Sequence, residues 1–225
     1  MARFSWEEGA GEGPGDALIA GLTRHELEGG ALFWSGTLPG DLLPGPAGFE
    51  EIWSLHPEEY HQIVMYGRAV ETPRYQQAFG ADYHYAGRKN LALPTPAALQ
   101  ALLAWGQSAV DSRLNGVLLN WYEGALGHYI GRHRDSTKNM IEGAPIVTIS
   151  LGQERAFRLR PWKRPGKVDF PAKNGTVFVL PYSTNLKWTH EVPASKRLTG
   201  RRISITLRGF VAAGDEVGGQ SVAAD

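Results

Sequence analysis

The residues best placed to do chemistry in this chain are His133-Arg134-Asp135. In an extended segment, side chains two positions apart point the same way, so His133 and Asp135 are spaced to hold one metal ion together. His190, further along and between two strand candidates, can supply a third ligand. Two imidazoles and one carboxylate make the facial triad of non-haem iron(II) oxygenases, which leaves coordination positions open for a cosubstrate and oxygen. The chain has no cysteine. That excludes thiolate metal sites, thiol nucleophiles and disulfides. The pair alone is a weak signal: with seven His and 23 Asp plus Glu, about one His-x-acid pair arises by chance, and His56-Pro57-Glu58 is another.

A second group strengthens it. In Arg202-Ile203-Ser204-Ile205-Thr206-Leu207-Arg208 the period is two. Ile203, Ile205 and Leu207 share a face suited to a core; Arg202, Ser204, Thr206 and Arg208 share the other. If that second face is buried, its two guanidiniums need anions, because unpaired buried charge is costly. A dicarboxylate offers one anion to each, and arginine suits carboxylates through paired N–H donors. The two arginines lie ~20 Å apart along a strand, so their long side chains must lean toward a common point. Otherwise the face is solvated. Asn120 and Tyr122 also point one way and can complete hydrogen bonds to a carboxylate.

These residues need a scaffold. From Leu114 onward the texture is short strands: Val117–Leu119, Ile146–Leu151, Phe157–Arg160, Thr176–Leu180 and Ile203–Leu207, separated by turns bearing Gly or Pro. Before about Val110 helical and turn signals mix. Thr95-Pro96 predicts an N-cap with Pro at the first helical position, followed by Leu99, Leu102, Leu103 and Val110 at helical spacing. Phe49–Leu55 is a second short helix candidate. The expected fold class is α+β, mainly β: a double-sheet jelly roll braced by N-terminal helices.

Composition adds bounds. The 225 residues suit one domain with a real core. Lys plus Arg and Asp plus Glu are both 23, a formal net charge of zero, which argues against a strong sequence-blind nucleic-acid binder but permits a local basic patch. Residues 1–16 lack the apolar region of a signal peptide, and no apolar run approaches the ~20 residues that span a bilayer. The expectation is a soluble intracellular monomer, cytoplasmic or at the nucleoid or nucleus, without membrane partners. Residues 1–16 and 212–225 are poor in apolar side chains and are expected to be disordered tails around one domain at 17–211.

Taken in order, Asn120-x-Tyr122, His133-x-Asp135, His190 and Arg202-x5-Arg208 resemble the AlkB family of 2-oxoglutarate dioxygenases, as do the flanking stretches "IGRHRDS", "PIVTISLGQERAFRLR", "LPYSTNLKWTHEVP" and "RRISITLRGF". The resemblance extends upstream through "TPRYQQAFGADYHYAG", covers about Met65 to Phe210, and is greatest to the branch with the vertebrate DNA-repair homologues. It implies a double-stranded β-helix, with a nucleotide-recognition lid at about 62–90 and the catalytic jelly roll at about 114–211. It implies iron(II) on His133, Asp135 and His190, and 2-oxoglutarate on Arg202 and Arg208, helped by Asn120, Tyr122 and Thr206, with O2 as oxidant. The implied activity is oxidative dealkylation of N-alkylated DNA or RNA bases of the 1-methyladenine or 3-methylcytosine type, releasing aldehyde, succinate and CO2.

The resemblance further implies a finger residue at Tyr66, aromatic stacking on a flipped base by Tyr83 and Tyr85 opposite His133, and phosphate contacts at Lys196-Arg197. Such base chemistry requires extrusion into a stacking pocket. The basic stretch Arg155–Lys167 suits either phosphate contact or solvated surface. One departure stands out. Repair members often carry an acid beside the base just past the iron-binding Asp, and here Ser136 and Thr137 occupy that place. This favours, as alternatives, the same machinery on a small molecule, a tRNA or a protein side chain. A binding module that has lost catalysis is the remaining rival.

Overall fold

The computed structural model describes residues 21–211 except 66, 86 and 87, and for 64, 65, 83–85 and 88–90 the backbone path only. The expected tails at 1–16 and 212–225 and the finger residue Tyr66 lie outside the described residues.

The elements run β1 (Leu22–Leu27), β2 (Ala31–Thr37), α1 (Pro46–Trp53), β3 (Gln62–Met65), β4 (Arg68–Glu71), β5 (Tyr75–Phe79), β6 (Tyr83–Tyr85), β7 (Arg88–Asn90) and α2 (Ala97–Ala109). There follow β8 (Gly116–Glu123), β9 (Ile130–His133), β10 (Ile146–Gly152), β11 (Arg155–Pro161), β12 (Val168–Ala172), β13 (Thr176–Leu180), α3 (Tyr182–Lys187), β14 (Trp188–Val192) and β15 (Arg201–Arg208). A seven-stranded sheet has the order β1-β2-β13-β10-β15-β8-β5, and a four-stranded sheet the order β12-β11-β14-β9. All their pairings are antiparallel. The hairpins β3-β4 and β6-β7 stand apart from both sheets. This is a mainly β, jelly-roll architecture, as the strand texture predicts.

Period two explains how the large sheet is covered. Ile203, Ile205 and Leu207 of β15 and Leu119 and Trp121 of β8 share a core with Ile52 of α1 and Leu99 and Leu102 of α2. The Trp121 indole N–H donates to Ile52 O at 3.0 Å, tying α1 to the sheet. α2 sits so close that a Cβ on Gly106 would lie 2.5 Å from Leu207 Cδ1. The opposite face looks toward the small sheet. There a second core joins Phe33, Phe178 and Leu180 to Phe157, Leu159 and Trp188. The large sheet is thus covered on both faces, so Arg202, Ser204, Thr206 and Arg208 are buried as well. The solvated alternative for that strand face is overturned.

Several boundaries differ from expectation. α2 begins at Ala97: Pro96 itself is the extended N-cap, with no side-chain cap, so Thr95 is one residue outside the predicted role. α1 begins at Pro46, where an extended Gly45 and a proline in the first turn start the helix. The front of the chain contributes β1, β2 and β5 to the large sheet, where the sequence shows only helical and turn signals. No helix among the described residues is long and apolar enough to cross a membrane.

Candidate metal and cosubstrate site

Strand pairing brings the two imidazoles together. His133 ends β9, and His190 lies inside β14 rather than between strands, directly across from it. Their ring centroids are 4.2 Å apart. Asp135 sits two residues beyond the end of β9 and is buried. Its Oδ1 is 3.5 Å from His133 Nε2 and 3.7 Å from His190 Nε2. All three ligand atoms lie within 4.8 Å of one another. Nitrogen and oxygen donors in this number suit a divalent ion such as iron(II).

The neighbours set protonation and position. With its proton on Nδ1, His133 donates to Gly131 O at 2.9 Å, which leaves the Nε2 lone pair facing the ion position. Asp135 is held through its backbone. Its N–H donates to Asn185 Oδ1, and its carbonyl accepts from Asn185 Nδ2, each at 3.0 Å. Asn185 is itself buried on α3. The Asp135 carboxylate also pairs with Arg208 Nη2 at 2.8 Å. Burial alone would raise the Asp135 carboxyl, but the Arg208 guanidinium, the His133 hydrogen bond and the two imidazoles outweigh it and hold it well below the usual carboxylate range. Burial, then the neighbouring His133, pushes His190 down to about 3, against a smaller upward pull from Asp135. A neutral imidazole beside an ionised carboxylate is the protonation state a metal requires.

These shifts have a pH consequence. A group whose folded pKa is depressed stabilises the fold above its unfolded pKa, and that stability is lost as pH falls toward the folded value. For His190 the loss runs from about 6.5 down to about 3, and Asp135 adds its own loss below 3.8. The melting temperature of the metal-free protein should therefore fall steadily as pH drops through 6, and His190→Gln should flatten the upper part of that curve.

The second part of the site is on the large sheet. Arg202 pairs across β15-β8 with Tyr122, and Ser204 with Asn120; Asn120 in turn pairs with Gln76 of β5. Arg202 is 0% exposed. Its Nε donates to Ser150 Oγ at 3.0 Å, and its guanidinium carbon lies 5.1 Å over the Tyr122 ring. Nη1 and Nη2 are buried without a hydrogen-bond partner. Two orphaned, charged donors call for an anion. Asn120, Tyr122, Thr206 and Arg208 line the same cavity as His133, Asp135 and His190. The residues therefore fit both a metal ion and a dicarboxylate beside it.

A model of the 2OG-Fe(II) oxygenase superfamily matches residues 54–208. The chain belongs to this family. Among curated proteins, this 2OG-Fe(II) oxygenase is 27% identical over 158 residues to the DNA oxidative demethylase ALKBH2 of Homo sapiens, covering 65% of this chain and 60% of that protein. It is 26% identical over 214 residues to the Bos taurus protein of the same name, covering 87% and 75%. To the alpha-ketoglutarate-dependent dioxygenase alkB homolog 3 of Rattus norvegicus it is 25% identical over 103 residues, covering 42% and 35%. The cofactors of the family, iron(II) and 2-oxoglutarate, match the donor set described above.

Other expected residues fall differently. His56 does not join the triad: it stacks on Tyr75 with centroids 4.5 Å apart. The stretch Arg155–Lys167 is largely engaged within the protein. Arg155 is buried and donates to the carbonyls of His128 and Pro193; Arg158 pairs with Asp169 and Arg160 with Glu191; Arg164 pairs with Glu28. Lys196 and Arg197 are exposed. Tyr83 and Tyr85 lie on β6, paired with Asn90 and Arg88 of β7. The Ser136 hydroxyl accepts from Lys138 N at 3.3 Å. Sequence reasoning missed Asn185 and the buried pair Arg74 and Gln76. The latter two share a period-two polar face that "PRYQQA" displays; nothing local marks Asn185.

Proposed function

We propose that this chain dealkylates N-alkylated nucleic-acid bases oxidatively, consuming O2 and 2-oxoglutarate and releasing aldehyde, succinate and CO2. The observation that carries the reading is the single cavity shared by the His133–Asp135–His190 cluster and the arginine-bearing face of β15. The relatives named as DNA oxidative demethylases support the choice of substrate.

In this reading His133, Asp135 and His190 hold iron(II). Arg202 and Arg208 take the carboxylates of 2-oxoglutarate, with Asn120, Tyr122 and Thr206 completing its hydrogen bonds. Together, bound iron(II), 2-oxoglutarate and O2 supply the oxidising power that places a hydroxyl on the N-alkyl carbon. The hydroxylated carbon then leaves as aldehyde: its hydroxyl gives up the proton as the C–N bond breaks, and the bonding electron pair stays on the nitrogen. The protein's task is orientation and exclusion of water. The buried Arg202 fixes the cosubstrate, and Asn185 fixes Asp135. Tyr66, Tyr83 and Tyr85 would stack with the extruded base opposite His133, Ser136 would meet its edge, and Lys196 and Arg197 would contact phosphates.

The test is incubation with iron(II), 2-oxoglutarate and ascorbate plus oligonucleotides carrying one alkylated base. Formaldehyde and the unmodified base should appear together, and His133→Ala should abolish both. Tyr83→Ala should weaken repair while iron binding stays intact. Turnover of 2-oxoglutarate with no repair of any oligonucleotide would put the small-molecule reading, which Ser136 and Thr137 favour, in its place.

A further inference from the structure

The strand that carries His133 is weakly fixed by its own backbone. β9 is 4 residues long and lies at the edge of the small sheet, beside β14. The ladder registers it at two places, His133 opposite His190 and Ile130 opposite Val192. Between them Gly131 and Arg132 stand against the single residue Glu191, so β9 carries a bulge. The carbonyl of Gly131, in that bulge, is the one that receives His133 Nδ1–H. A slip of one residue along β14 would carry His133 out of the cavity and bring an arginine in.

Arg132 and Arg134, on either side of His133, supply the hold that the ladder lacks. Both are exposed, and among the described residues their partners are carbonyls, a hydroxyl and a ring, with no carboxylate. Arg132 Nε donates to Thr189 Oγ1 at 2.8 Å and its Nη2 to Pro161 O at 2.7 Å. One side chain thus reaches from β9 across β14 to β11, and Thr189 immediately precedes His190. Arg134 Nη1 donates to Leu186 O at 2.7 Å, and its guanidinium carbon lies 4.3 Å from the centre of the Trp162 ring. The Trp162 backbone N–H donates to Lys187 O at 2.8 Å. Leu186 and Lys187 end α3, where carbonyls have no partner inside the helix. Asn185, just before them, holds both the N–H and the carbonyl of Asp135. The end of α3 is therefore gripped by Arg134 and Trp162 while it grips Asp135.

We propose that Arg132, Arg134 and Trp162 are positioning residues of the metal site: they fix the register in which His133 and Asp135 meet His190. None of the three lines the cavity, so they act through the ligands and not on the ion. A planar guanidinium can lie on the indole and keep an N–H aimed at Leu186 O, whereas the ammonium of lysine has no plane to stack. The inference rests on reading the triad as a metal site and is independent of the substrate.

The experiment titrates the metal-free full chain with cobalt(II), a spectroscopic stand-in for iron(II), and reads affinity and visible spectrum together. A thermal melt of each metal-free form reads the fold. Arg132→Ala, Arg134→Ala and Trp162→Ala should each weaken cobalt(II) binding by about tenfold or more and alter the visible band of the bound ion, because the ligands remain but their spacing is no longer fixed. Trp162→Phe, which keeps an aromatic face, should stay within about threefold of the parent, and Arg134→Lys should resemble Arg134→Ala. Both Trp162 variants should melt close to the parent, since the side chain is exposed. Alanine variants with parental affinity and spectrum overturn the proposal. So does a lowered melting temperature with an unaltered metal site, which would make the contacts purely structural. Full recovery by Arg134→Lys also overturns it, since charge would then be the cause. A parent that binds no cobalt(II), or whose binding survives His133→Ala undiminished, would sink the triad as a metal site, and this inference with it.

Discussion

Replacing Arg202 with methionine is expected to raise the 2-oxoglutarate Kd by about a hundredfold or more, yet leave the ligand-free protein at least as stable as the parent. The two effects have one cause. Arg202 is fully buried with both terminal nitrogens lacking partners, and burial pushes its pKa down from the ordinary value. Without an anion, the fold carries a desolvated charge that, among the described residues, meets the Ser150 hydroxyl and the Tyr122 ring. Removing such a charge for an apolar chain of similar length is commonly neutral or stabilising. With the cosubstrate bound, the same nitrogens make charge-assisted bonds worth ~1.5–3 kcal/mol each. Calorimetric titration with 2-oxoglutarate and a thermal melt without it check both halves. A variant that melts well below the parent would mean that Arg202 is a structural cation, already satisfied by the fold.

The opposite signature is expected at Asp135. Asp135→Ala should reduce iron(II) affinity more than about a hundredfold, in line with loss of a charged ligand, and should also destabilise the metal-free protein by about 3–5 kcal/mol, because it removes the carboxylate from a buried pair with Arg208. Urea denaturation of the metal-free forms measures the second effect. The double variant Asp135→Ala/Arg208→Met should recover a good part of the loss, since the buried guanidinium that faced the carboxylate is gone as well. Additive losses in the double variant would show that the ion pair does not carry the stability. Asp135 and Arg202 thus separate two kinds of buried charge: one matched within the fold, and one whose match must come from a ligand.

Much of this site is written in local spacing. The residues of β15 alternate, so Ile203, Ile205 and Leu207 had to face one side and Arg202, Ser204, Thr206 and Arg208 the other; likewise Asn120 with Tyr122. Of the strands from β8 onward, β8, β10, β11, β13 and β15 announce themselves through β-rich runs between turns, while β9, β12 and β14 carry no such signal; the five runs suffice to predict a jelly roll. The ordered motifs resemble those of the 2-oxoglutarate dioxygenases, and that resemblance implies iron and 2-oxoglutarate. Spacing of two or four residues is a property of the backbone's own geometry, and it survives whatever the rest of the chain does.

What spacing cannot convey is which distant segment lies opposite. β1 and β2 were missed because "LTRHEL" and "ALFWSGT" carry weak alternation and become strands by pairing with each other and with β13. His56-Pro57-Glu58 has the same local pattern as His133-Arg134-Asp135, yet only the latter has His190 across from it in register. Arg155 belongs by composition to a basic surface stretch, and in the fold it is interior. Asn185 reaches Asp135, and Arg74 reaches the cavity, only because sheet pairing and the seating of α3 bring them there. Local periodicity decides the side to which a side chain points; the non-local burial of two sheets against each other decides what it meets, and a site shared by a carboxylate, two imidazoles and a buried guanidinium is made of such meetings.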